Sequence, residues 1–215
     1  MRSAMIVVGS ELQAWDRAQT LSDYLRKVAG VRRTVMLPGW NRTPDSLHCA
    51  FVNHATQAGR QPWLLAYIGH GYKERCTGQT GWSYGVDQGE TDLRLPYRTL
   101  FDWLVETRDG PTLLLNDCCY AESFLTPAIR ENPRLKISLI ASSVAEGYSY
   151  GDLTQSVIDT WMDGKPYVPR TRPGTLHRYV VQEARFGPEL DAHFFPDPRK
   201  QKELERDAAL NEMPA

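Results

Sequence analysis

Two stretches decide the fold: PWLLAYIGHG at residues 62–71 and PTLLLNDCCYA at residues 111–121. Each is a short, nearly unbroken apolar run bounded by turn residues. That is the pattern of a strand buried on both faces of a parallel sheet. The first run closes on Gly69-His70-Gly71 and the second on Asp117-Cys118-Cys119. In open α/β sheets ligand and catalytic groups gather beyond the carboxyl ends of the strands. Both punctuated ends are therefore expected on one edge of the molecule.

Working outward, strands and helices alternate. Ala4 to Val8 reads as a first strand, and Trp15 to Val28 as a helix with Trp15, Ala18, Leu21, Leu25 and Val28 on one face. Val31 to Leu37 is a second strand, stopped by Pro38-Gly39. Asp45 to Ala58 is a second helix, with Pro44 at its start and Gly59 past its end. Lys73 to Arg94 is an excursion from the sheet that contains a hairpin strand at Trp82 to Val86. A helix from Pro96 through Glu106, a turn at Asp109-Gly110-Pro111, the strand Thr112 to Asn116 and a helix reaching Glu131 follow. Leu135 to Ala141 is a fifth strand, Leu153 to Met162 a helix, residues 165–173 a loop, and Leu176 to Ala184 a last core helix. Lys200 to Leu210 is highly charged and reads as a solvated helix or a frayed tail. The alternation predicts an α/β/α sandwich around a mostly parallel sheet, with one domain over residues 1–195 and a charged tail over 196–215.

Composition narrows the partners. The 215 residues hold 25 Lys and Arg against 26 Asp and Glu, so no global charge argues for nucleic acid or an anionic membrane. No apolar run approaches the ~18 residues of a membrane span, and the amino-terminal run is too short for a signal peptide. The expected localisation is cytoplasmic. Cys49, Cys76, Cys118 and Cys119 are expected to be free thiols, because an adjacent pair is poor geometry for a disulfide framework.

A thiol protease needs a thiolate, an imidazole that takes its proton and returns it to the leaving amine, and donors for the oxyanion. His70 and Cys119 suit the first two roles. The amides of Gly71 and Cys119 suit the third, since Gly71 lets a carbonyl approach closely. The two residues lie 49 positions apart, close to the interval of about 50 that separates histidine and cysteine in caspases. Tyr67-Ile68-Gly69-His70-Gly71 resembles the Y-S-G-H-G of the caspase and metacaspase superfamily (clan CD, peptidase family C14). Asp117-Cys118-Cys119-Tyr120-Ala121 resembles its D-C-C-H-S-G. Ile140-Ala141-Ser142-Ser143 and Gly147-Tyr148-Ser149-Tyr150 resemble its fifth strand and substrate loop. The resemblance runs over roughly residues 4 to 185 in strand order.

The resemblance implies a caspase-like cysteine endopeptidase with Cys119 as nucleophile, His70 as general base and acid, and Cys118 turned into the sheet. It assigns Asp117 to the S1 pocket, where a carboxylate would pair with a guanidinium and repel an acidic side chain. Cleavage after Arg, then Lys, is expected, and Glu146 aligns near a second acidic S1 position. Three departures stand out. Ala121-Glu122 replaces Ser-Gly, the interval from Cys119 to the fifth strand is short for an intersubunit linker, and no prodomain is expected. Arg75, Lys165, Arg170 and Arg172 lie in predicted loops and would suit processing by the enzyme itself or by an upstream activating protease. No cofactor is expected. Cys49 and Cys76, with His48 and His54, match no closed zinc spacing, and Asp87, Glu90 and Asp92 lack the calcium-loop pattern of an EF-hand. His177 and His193 are read as ordinary histidines, and Trp82 and Tyr84 as sheet-packing aromatics. The expected partners are protein substrates and a regulatory partner, within a proteolytic cascade such as bacterial antiviral defence. The competing expectation is a non-catalytic caspase-fold scaffold or regulator.

Overall fold

The structure is a computed structural model that describes residues 2–86, 92–124, 136–143, 148–149, 151–167, 180–182 and 190–211. Its main sheet holds Ser3–Val8 (β1), Arg33–Pro38 (β2), Trp63–Ile68 (β3), Thr112–Asp117 (β7), Ile137–Ala141 (β8) and Val180–Gln182 (β9), in the order β2-β1-β3-β7-β8-β9. The strands from β2 to β8 are parallel, and β9 pairs antiparallel with β8. A separate antiparallel sheet, β4-β5-β6, is formed by His70–Lys73 (β4), Thr80–Val86 (β5) and Asp92–Pro96 (β6). It is the excursion predicted between the third strand and the third helix.

The helices are Leu12–Asp23 (α1), Pro44–Ala58 (α2), Tyr97–Thr107 (α3), Leu153–Met162 (α4) and Pro198–Asn211 (α5). A π-helical turn, Tyr24–Val28, prolongs α1. The start of α2 follows from local chemistry: Thr43 is its N-cap and accepts the Ser46 amide, and Pro44 occupies the first turn. Gly59 ends the helix at φ 56°. Alternate side chains of the parallel strands build two cores. Met5, Val7, Leu65, Tyr67 and Leu114 face α2 and α3 through Phe51, Leu100 and Leu104. Ile6, Val8, Leu64, Ile68 and Leu115 face α1 and α4 through Ala18, Leu21, Val157 and Trp161. Helices on both faces require crossovers on both sides, which keeps the strand carboxyl ends together on one edge.

The expectation of a core helix over Leu176 to Ala184 is corrected: Val180–Gln182 is an edge strand, with Ile140 opposite Val181. Two adjacent β-branched residues favour a pleated strand, and the free edge of β8 supplies the hydrogen-bond partners. The predicted helix after Cys119 begins as a 3-10 turn at Ala121–Phe124, and its remainder to Glu131 lies outside the described residues. The charged segment from Lys200 is helical, and its entry is anchored where the Asp197 amide donates to the Val28 carbonyl.

Arg108 fixes the far end of the sheet. Its buried guanidinium donates to the carbonyls of Ala55, Gly59, Gln61 and Pro111 and to Thr112 Oγ1. These bonds join the ends of α2 and α3 to the start of β7. Burial lowers its pKa to about 10, and the array of oxygens replaces the water a buried cation would otherwise need.

Candidate active site

Three neighbouring strands end side by side. In register, Val8 of β1 lies opposite Ile68 of β3, and Ile68 lies opposite Asp117 of β7. The strand ends are joined by bonds from the Gly9 amide to the Ile68 carbonyl (2.8 Å) and from the Gly69 amide to the Asp117 carbonyl (3.2 Å). Glu11, His70 and Cys119 follow these ends within three residues. The backbones also close up. A Cβ on Gly69 would stand 2.9 Å from Gly9 Cα, and one on Gly71 would stand 2.8 Å from the Cys119 carbonyl carbon, with the carbonyl oxygen nearer still. Only glycine allows either approach. The result is a row in which the His70-Gly71 segment lies against Cys119 on one side and the β1 terminus on the other.

His70 is exposed, and its Nε2 lies 2.9 Å from Glu11 Oε1. Its carbonyl is 2.8 Å from the hydroxyl of buried Tyr67, which is also 2.7 Å from the Ser83 carbonyl. That ties His70 to the edge of the small sheet. Trp82 stacks on Tyr67 with ring centroids 4.5 Å apart and donates its indole N–H to Asn116 Oδ1. With Tyr84 also buried, both hairpin aromatics pack inward, as expected from sequence.

The two thiols have different surroundings. Cys118 is buried, with Sγ 3.4 Å from the Tyr97 hydroxyl and 3.3 Å from Asn116 Oδ1, and burial pushes its thiol well above the ordinary range. Cys119 is partly exposed, and its Sγ accepts the Ser149 amide at 3.3 Å. The chain turns at Tyr120 with φ 57°, a left-handed conformation that costs a non-glycine residue ~1–2 kcal/mol. Ser142 and Ser143 hold this turn. Both hydroxyls donate to the Cys118 carbonyl, and Ser143 Oγ accepts the Ala121 amide at 2.9 Å. The Ala121-Glu122 departure from the resembled motif is thus accommodated by the end of β8.

Asp117 is fully buried. Its Oδ2 accepts the Thr154 amide (3.1 Å) and hydroxyl (2.7 Å), and its Oδ1 lies 3.4 Å from Ser149 Oγ. The Arg17 guanidinium of α1 stands 4.0 Å away and donates to the Gly151 carbonyl. Burial raises the Asp117 carboxyl above its ordinary 3.8, while Arg17 and the Thr154 bonds pull it back.

The structure thus brings together His70, Gly71, Asp117 and Cys119, which sequence reasoning named, with Glu11, Arg17 and Thr154, which it did not single out as site residues. A charged residue shortly after the first strand was the available signal for Glu11. Glu146, Arg170 and Arg172 lie outside the described residues, as do Asp87, Glu90 and His177. Arg75 is exposed in the β4–β5 turn, and Lys165 is exposed and paired with Asp163 at 3.1 Å. Among the described residues no cluster of His, Cys, Asp and Glu could hold a metal ion, and no helix is long and apolar enough to cross a membrane.

No protein-family model matches the chain, and no curated protein matches it in sequence. Solved structures do. Raptor of Chaetomium thermophilum superposes with a TM-score of 0.51 at 16% identity, covering 75% of this chain; the chain spans only 18% of that protein. Caspase-1 of Spodoptera frugiperda gives 0.52 at 10% identity over 84% of each chain. The Drosophila initiator caspase Dronc gives 0.52 at 10% identity over 90% of this chain and 84% of its own. With its mostly parallel sheet sandwiched between helices, the chain has the caspase-like α/β fold.

Proposed function

We propose that the chain is a caspase-like cysteine endopeptidase. The observation that supports this reading is the close approach of Gly71 to the Cys119 backbone, at the ends of two paired strands whose following residues carry an exposed imidazole and a partly exposed thiol. In the proposed reaction His70 takes the Cys119 proton and the thiolate attacks the scissile carbonyl. The amides of Gly71 and Cys119 receive the oxyanion. The imidazolium then protonates the leaving amine, and water hydrolyses the thioester.

Specificity for Arg, then Lys, rests on Asp117. The guanidinium already 4.0 Å from this carboxylate supports a cation-accepting site. It also means that a substrate arginine gains Asp117 only in exchange with Arg17, so the resting site is occupied by the chain's own side chain. Glu146 belongs to the same proposal as a second acidic contributor. Exposed Arg75 and Lys165 remain proposed processing positions, with Arg170 and Arg172. A protein substrate, an activating protease and a role in a regulated cascade such as bacterial antiviral defence complete the reading, by analogy of fold.

The competing reading, a caspase-fold scaffold without catalysis, draws on one observation: Asp117 is buried and engaged before any ligand arrives. Fluorogenic peptides ending in Arg, Lys or Asp separate the two, with Cys119→Ala as control. Hydrolysis of the Arg peptide that vanishes in the control supports the peptidase. Equal background from both proteins, before and after nicking of exposed loops, supports the scaffold.

A further inference from the structure

Glu11 occupies the N-cap of α1, yet its side chain makes no capping bond to that helix. Ser, Thr, Asp and Asn suit this position better, because their short side chains reach the free amides of the first turn. The Glu11 carboxylate instead reaches His70 Nε2 at 2.9 Å. The contact is built into the row of strand ends. The β1 terminus is bonded to β3 through the Gly9 amide, and Gly9 and Gly69 meet backbone to backbone. Glu11, His70 and Cys119 therefore follow consecutive strands in the order of the sheet, β1, β3 and β7.

We propose that Glu11 is the positioning residue of His70, making the site an acid–base–nucleophile row rather than a dyad. The inference rests on the peptidase reading of His70 and Cys119. When Nε2–H is donated to the carboxylate, the lone pair of the neutral imidazole is on Nδ1, so the tautomer is set by Glu11. Nδ1 then takes the Cys119 Sγ proton, leaving a thiolate. The imidazolium keeps its Nε2–H on Glu11 and carries a positive charge that the carboxylate balances. On collapse of the tetrahedral intermediate the Nδ1 proton passes to the leaving amine. Glu11 neither gains nor loses a proton. Its contribution is orientation and charge, the role a carboxylate serves behind the histidine of a serine-protease triad.

Three variants test this in the full chain: Glu11→Ala, Glu11→Gln and Glu11→Ser. The readouts are the iodoacetamide alkylation rate of Cys119, followed by mass of its peptide, and kcat and KM on the Arg peptide. Glu11→Ala is expected to lower both the alkylation rate and kcat by ~10–100-fold, with KM within about twofold. Glu11→Gln keeps an acceptor for Nε2–H without the charge, and is expected to recover to within ~5-fold of the parent. Glu11→Ser supplies a better helix cap, so its thermal stability should equal or exceed the parent's while its kinetics match Glu11→Ala. Kinetic losses that track a fall in stability, or alkylation and kcat within twofold of the parent in Glu11→Ala, overturn the proposal. Alkylation needs no peptide substrate. If the parent cleaves nothing, the peptidase reading fails, while the alkylation order of parent, Glu11→Gln and Glu11→Ala still decides whether Glu11 acts through His70.

Discussion

Gly71→Ala perturbs the contact on which the site depends. The added methyl would lie 2.8 Å from the Cys119 carbonyl carbon and 3.2 Å from its amide nitrogen. The carbonyl oxygen lies nearer still, and non-bonded heavy atoms prefer separations of ~3.5–4.0 Å, so the two segments must part by more than ~1 Å. Both neighbours are backbone and no flexible side chain can yield. The Cys118 carbonyl just before Cys119 is held by Ser142 and Ser143, and the His70 carbonyl by Tyr67. Overpacking of this kind costs ~1–3 kcal/mol of stability. The chemical penalty is larger, because misplacing reacting groups by ~1 Å lowers a rate by ~100-fold. Thermal unfolding should fall by several degrees, and alkylation of Cys119 and hydrolysis of an Arg peptide should each fall by ~100-fold relative to the parent. A Gly71→Ala protein that keeps both rates within a few-fold would refute the reasoning, since His70 and Cys119 would then tolerate separation of the segments that carry them.

Other expected outcomes are spread over the molecule. Arg17→Met, by removing the guanidinium beside Asp117, should lower KM for an Arg peptide several-fold and lower stability by ~1–2 kcal/mol; an unchanged KM contradicts the exchange. Arg108→Met should cost ~3 kcal/mol or more in chemical denaturation, because it strands buried carbonyls, and should leave kcat of the folded protein unchanged. His54 accepts the Trp63 indole N–H and is buried, which lowers its pKa from 6.5 to about 4. The unfolded chain therefore binds a proton more readily, so His54 removes up to about 3 kcal/mol of stability as pH falls from 6.5 towards 4, and nothing above that window. His54→Gln should flatten the urea-midpoint profile in that window, and parallel profiles for variant and parent contradict the assignment.

Much of this architecture was legible because buried parallel strands announce themselves. Thr112 to Asn116 and Pro62 to Ile68 are too apolar and too short to be anything else, and their Gly-His-Gly and Asp-Cys-Cys ends follow from the same reading. The inward turn of Cys118 was implied by the resemblance and not by the strand pattern, and Cys118 is buried while Cys119 is partly exposed. What could not be read were contacts set by strand order. Glu11 is distant from His70 in sequence, and only the pairing of β1 with β3 brings them together. The Arg17 and Thr154 environment of Asp117 likewise depends on how α1 and α4 pack over one face of the sheet. The misreading at Val180–Gln182 has a related cause: a three-residue edge strand is specified by the open edge of β8 more than by its own pattern.

The most direct measurement is covalent capture by a peptide ketone carrying a P1 arginine and a leaving group, read by mass spectrometry. Labelling is expected to be stoichiometric at Cys119, absent at buried Cys118, and lost in His70→Ala. Failure to label, labelling at Cys118, or labelling that persists unchanged in His70→Ala would contradict the peptidase reading.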